Sequence, residues 1–171
     1  MPILPYKGVM PTIEENVFIA PGAMVIGDVT LREGASVWYN TVIRADTAPI
    51  VIGRHTNVQD NCTLHVDSDA PLTIGDACTI GHGAIIHGAT LGDQVLVGMK
   101  AVVLSHARIG SRTIVGACAL VGEHKDIPEG VLMLGIPAKF ARELTEVELE
   151  NIVSGAEEYY ARALEHKKST G

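Results

Sequence analysis

A branched aliphatic residue recurs every six positions along most of this chain. Counting from Ile19, the steps run through Val25, Leu31, Val37 and Ile43. A nine-residue step leads to Ile52, Val58 and Leu64, and a ten-residue step to Ile74, Ile80 and Ile86. A five-residue step then opens Leu91, Val97, Val103, Ile109, Val115 and Val121. All seventeen slots hold Ile, Leu or Val, and the residue after the slot is often Gly, as at Gly53, Gly75, Gly81, Gly92 and Gly98. Four places after the slot the residue is small or modest: Ala23, Ala35, Thr56, Cys62, Cys78, Ala84, Ala101, Ala107 and Ala119. A period of six fits neither the 3.6 of an α-helix nor the 2 of a simple strand meander. It fits a parallel β-helix in which each hexad forms one short side and one corner, and three hexads close a triangular coil. The branched residue fills the interior, the small one fits the corner, and stacked coils pair at about 4.8 Å. Roughly six coils are expected.

Composition agrees with a core built from small repeated parts. Of 171 residues, 47% are hydrophobic but only 4% aromatic, with 18 glycines. A formal charge of −7 argues against nucleic acid as a partner, because neutralising phosphates needs a basic face. Cys62, Cys78 and Cys118 form no CxxC and no pairing pattern, so a reducing compartment suits them. Cys62 and Cys78 read as corner fillers. The start, MPILPYKG, carries two prolines and no long apolar stretch, so no signal peptide is expected. No run is long enough for a membrane span, and the expected location is cytoplasmic. After the repeat the pattern changes. Thr145 and Glu148 form a capping box, and Leu149, Ile152, Val153, Ala156, Tyr159 or Tyr160, and Ala163 recur at three- and four-residue spacing. The expected organisation is an N-terminal segment at 1–16, a β-helix at 17–139 and a C-terminal α-helix at 140–166 lying along the prism.

The register converts the histidine numbers into positions. Slots three apart share a side, so Leu64 and Ile86 lie one coil apart. His65 and His87, which directly follow them, therefore occupy equivalent positions about one strand spacing apart. Two imidazoles so stacked can converge on one metal, with nitrogen–zinc distances of about 2.0–2.1 Å. His82 follows Ile80 on a different side and does not easily reach the same ion within one chain. A neighbouring subunit can supply it instead, and three prisms packed side by side place one site at each interface. Three histidines with an open fourth position make a catalytic zinc arrangement. Arg44 follows Ile43 and stacks beneath His65, and Asp60 stacks beneath His82. Gln59 stands ready to orient water or substrate, and Arg44 with Asp46 or Asp60 to form an ion pair across the interface. His55, His106, His124 and His166 read as ordinary polar residues.

These residues carry a family resemblance. Arg44-Ala45-Asp46, the stretch IGRHTNVQDNCTLH ending at His65, IGHGAIIHG with His82 and His87, and GIPAK from Gly135 together resemble the gamma-class carbonic anhydrases, over nearly the whole chain. The closest likeness is to the short bacterial and archaeal members. The resemblance implies an all-β fold with a C-terminal helix, a left-handed parallel β-helix assembled as a homotrimer. It implies zinc, or iron or cobalt, held by His65, His82 and His87, with His82 from the neighbouring subunit. It places Gln59 and Asp60 near the metal, Arg44 and Asp46 at the interface, and a helix tyrosine, Tyr159, close to the site. The implied reaction is reversible hydration of CO2 to bicarbonate. Two features depart from the best-studied long members. The segment after His65 is only Val66-Asp67-Ser68-Asp69-Ala70-Pro71, without the glutamate proton shuttle, and Thr47 stands where they have a second glutamate. A metal-dependent thioesterase, a metal-holding binding protein and a hexapeptide acyltransferase are the alternatives.

Overall fold

The computed structural model describes residues 2–170. The chain winds into a parallel β-helix with three faces, each a column of short strands paired coil to coil. On the first face Val25, Ile43, Leu64, Ile86, Val103 and Val121 stand in register. On the second, Ile13, Leu31, Ile52, Ile74, Leu91, Ile109 and Ile127 do. The third aligns Ile19, Val37, Val58, Ile80, Val97, Val115 and Met133. Every slot counted in the sequence lands on its expected face. Ile13, Ile127 and Met133 extend the six-residue step beyond both ends of that count. The third face thus holds seven parallel strands among the described residues, one more coil than expected.

The slots form the aliphatic interior, with the small corner residues and Ile50 and Leu72 packed against them. Sixteen of the seventeen are at most 3% exposed. Ile19, on the terminal coil, is partly covered. The corners explain the small residues. The buried Thr56 hydroxyl donates to the Gly75 carbonyl at 2.7 Å and accepts the Cys78 N–H at 2.9 Å, so the hydroxyl closes a backbone gap between coils. Cys62 and Cys78 sit at the same corner position, and burial pushes their thiol pKa values up to about 11 and about 12. Both are therefore protonated, packed side chains rather than reactive thiolates.

The C-terminal helix runs Glu146–Thr170. Residues 140–145, expected within the helical segment, are not helical. Lys139–Glu143 instead forms a strand that runs antiparallel to Val131–Leu134 on the third face. The helix can begin only at its cap: Glu148 accepts the Thr145 N–H at 2.9 Å while Thr145 Oγ1 accepts the Glu148 N–H at 3.3 Å. Ile152, Ala156 and Ala163 form its buried stripe, and it packs along the third face. Phe18, Trp38, Tyr39 and Tyr159 form a cluster beneath it, and the Tyr39 hydroxyl meets His166 Nδ1 at 2.8 Å. Among the described residues no helix is long and apolar enough to cross a membrane.

The cap has a pH signature. Arg142, and then the Thr145 N–H and hydroxyl, hold the Glu148 pKa down at about 2, against an ordinary 4.5. A depressed carboxylate pKa contributes stability that is present above the unfolded value and is lost as pH falls through the folded one. The gain from this solvent-exposed group is modest. Wild type and Glu148→Gln should differ in thermal midpoint at pH 6, and the difference should close between about pH 4.5 and pH 2.

Candidate metal centre

The pairing register sets His87 opposite His65 on the first face. Their rings lie 5.0 Å apart, and His65 Nδ1 approaches His87 Nε2 to 3.0 Å. Two nitrogens bound to one zinc at tetrahedral angles are about 3.3 Å apart. The pair is thus within a few tenths of an ångström of a ligand spacing. The opposite ring nitrogens are both engaged. His65 Nε2 meets Asp46 Oδ1 at 2.9 Å, and His87 Nδ1 meets Ser105 Oγ at 2.9 Å. Metal-binding histidines are commonly held in this way, by an oxygen on the nitrogen away from the ion.

Asp46 is the hub beneath the pair, because it also bonds Arg44 within the same chain. Its burial works against the charged form, but the His65 bond and the Arg44 guanidinium outweigh that and hold its pKa below the ordinary carboxylate value. Arg44 stands below His65, as Ile43 pairs with Leu64.

His82 occupies a different place. It lies in the turn that leads from the third face to the first, and Asp60 holds the equivalent turn position one coil below. Asp60 Oδ2 takes His82 Nδ1 at 2.8 Å, which leaves Nε2 as the nitrogen able to bind an ion. The His82 side chain is 46% exposed, against 22% and 28% for His65 and His87. Among the described residues no three His, Cys, Asp or Glu side chains of one chain converge as a metal site. Within one chain His65 and His87 lie together and His82 lies apart.

Gln59 is buried, and both ends of its amide are bonded. Its Oε1 accepts the His82 backbone N–H at 3.2 Å, and its Nε2 donates to Asn57 Oδ1 at 3.2 Å. Beside it runs an open apolar groove lined by Thr79, His82, Leu96, Val97 and Met99. Tyr159 is half-buried, with its ring edge-on to Trp38 at 5.3 Å. Burial raises its pKa, and the Asp60 carboxylate adds to the rise, so its hydroxyl keeps its proton at neutral pH. Tyr160 is drawn away to the opposite corner, where it stacks on His55 at 4.2 Å. His106 and His124 also stack, at 4.6 Å. Sequence reasoning missed Ser105, and read Asp67 only as a candidate proton acceptor, not as a partner of Ser105. Ser105 carries no six-residue signal, and Asp67 belongs to the ten-residue step where the count is interrupted.

A coil of this period, with inward aliphatic slots and turn-borne polar columns, defines a hexapeptide-repeat β-helix protein. The family profile for bacterial transferase hexapeptide (six repeats) matches residues 10–45 and 88–123. A "Probable carbonic anhydrase" of Methanocaldococcus jannaschii is 50% identical over 147 residues, covering 86% of this chain and 92% of the relative. Gamma carbonic anhydrase 2, mitochondrial, of Arabidopsis thaliana is 41% identical over 162 residues; the match covers 91% of this chain and 58% of the plant protein. The crystal structure of a hexapeptide transferase family protein from Anaplasma phagocytophilum superposes with a TM-score of 0.91 at 39% identity, covering 94% of this chain and 95% of that one. The chain belongs to the gamma carbonic anhydrase family, a family of lyases whose chemistry is the hydration of CO2.

Proposed function

We propose that this protein catalyses the reversible hydration of CO2 to bicarbonate at a zinc centre shared between subunits of a homotrimer. The observation that carries the reading is the His65–His87 pair, registered in adjacent coils with facing nitrogens 3.0 Å apart. His65 and His87 of one subunit and His82 of the next would hold the metal. Iron or cobalt fits the same nitrogen donors. When bound, such an ion acts as a Lewis acid and lowers the pKa of water at its open position to about 7.

The remaining steps belong to the chain. Asp46 and Ser105 keep the two paired rings from turning away from the ion. Asp60 holds the His82 ring, and Gln59 holds its backbone, so the contributed histidine arrives already oriented. CO2 carries no charge, and the apolar groove beside Gln59 and His82 suits its approach. Tyr159 acts as a hydrogen-bond donor beside the site rather than as a base, since its proton stays in place. Arg44, paired with Asp46, lies 44% exposed and supplies a positive edge to the interface.

The test is stopped-flow CO2 hydration on protein reloaded with zinc, with measured metal content and a chelated control. Hydration well above buffer that disappears on chelation is expected. Full metal occupancy without hydration would overturn the reading in favour of a metal-dependent hydrolase or a metal-holding binding protein.

A further inference from the structure

Ser105 and Asp67 converge on His87 from two separate places in the chain. Ser105, 5% exposed, begins the turn one coil above His87. Asp67 lies in the ten-residue step between Leu64 and Ile74, in a turn closed by the Ala70 N–H bonding the Asp67 carbonyl at 3.1 Å. That turn rests against Gly88, where an added Cβ would lie 2.7 Å from Ala70 Cβ and 3.1 Å from Ser105 Oγ. The glycine after His87 therefore makes room for both groups.

On the Ser105 side of the ring the hydrogens follow from donor and acceptor capacity. Ser105 Oγ lies 2.8 Å from Asp67 Oδ2 and 2.9 Å from His87 Nδ1. An ionised carboxylate only accepts, so the single hydroxyl proton goes to Asp67. Ser105 then has only lone pairs to offer His87, and Nδ1 must carry the ring proton. Nε2 of the neutral imidazole is left bare. Nε2 is also the atom that faces His65.

We propose that Ser105, backed by Asp67, is a positioning residue that fixes His87 as the Nδ1–H tautomer and so presents Nε2 as the metal-binding nitrogen. The proposal rests on the metal centre described above, but its first consequence is visible without metal. Asp67 also lies 3.5 Å from His87 Nδ1, so it reinforces the same proton position directly. The departure from the long family members thereby gains a role: the shortened segment after His65 supplies an orienting carboxylate.

The experiment has two readouts on the intact protein. Nitrogen NMR of 15N-histidine-labelled, metal-free protein at a pH where the imidazoles are neutral reports the His87 tautomer. Competition with a zinc chelator reports affinity. Wild type should show a protonated Nδ1 and a bare Nε2. Ser105→Ala should shift the ring toward the other tautomer and weaken zinc binding by about 10–100-fold. Asp67→Asn, whose amide can donate as well as accept, no longer compels the Ser105 hydroxyl to point away from His87 and should move both readouts in the direction of Ser105→Ala, by less. Ser111→Ala serves as the structural control: its hydroxyl accepts the Asp93 N–H at 3.1 Å at a different corner, and its removal should move neither readout. A wild-type His87 protonated at Nε2, or a Ser105→Ala variant with unchanged tautomer and affinity, overturns the proposal. A tautomer that responds to Ser105→Ala in a protein that takes up no zinc overturns the metal centre and leaves the Ser105 assignment standing.

Discussion

His82→Ala and His65→Ala should each leave the purified protein without zinc, and mixing the two should restore part of it. On the proposed trimer, each variant lacks one side of every shared site. In a mixed trimer, an interface is complete where a protomer with intact His65 and His87 meets a neighbour with intact His82. Random reassembly of equal amounts gives about a quarter of the sites in that form, from the cyclic symmetry alone. Zinc content after refolding the mixture measures this directly. A mixture that recovers nothing would sink the shared-site assignment. The physical basis is the split within one chain: His65 and His87 are paired on one face, while His82 is bound to Asp60 on a turn of another.

The largest stability effect should come from the middle of the stack. Ile80 is fully buried, with Val58 paired on one side and Val97 on the other. Ile80→Ala removes three carbons from a place that the coils above and below cannot close, and should cost about 2–5 kcal/mol. For a chain of this size that corresponds to roughly 5–15 °C in thermal midpoint. Thr73, one place before the slot Ile74, is exposed, and Thr73→Ala should change stability by no more than about 0.5 kcal/mol. Thermal unfolding followed by circular dichroism distinguishes the two. Similar losses for both would mean that the slots are not the interior.

How far the sequence could be read follows from what each residue depends on. The slots are legible because burial acts locally: every sixth residue must be aliphatic whatever its neighbours do. The count even places His65 beside His87 and Asp60 beneath His82, since register fixes these pairs before any side chain is considered. The Thr145–Glu148 cap is legible for the same local reason. Ser105 and Asp67 are not, because their meeting spans 38 positions and depends on a turn inside an irregular step. The strand at Lys139–Glu143 is equally hidden. All five of its residues are exposed, so no burial pattern marks it. Asp46 was readable as a partner of Arg44, but its second bond, to His65, depends on where the coil below turns.

That late strand has a consequence for how the column of coils ends. A pile of nearly identical parallel turns presents at each end a row of backbone groups ready to accept another turn, from its own kind or from a second molecule. Such a template is the starting point of fibrous growth. On the third face the chain reverses direction at its end and lays Lys139–Glu143 across the last rung, against Val131–Leu134. An incoming rung in the parallel sense would find a strand running the wrong way, bearing the exposed charges of Lys139, Arg142 and Glu143. On this face the parallel column thus ends within the chain itself, at a reversed and charged strand.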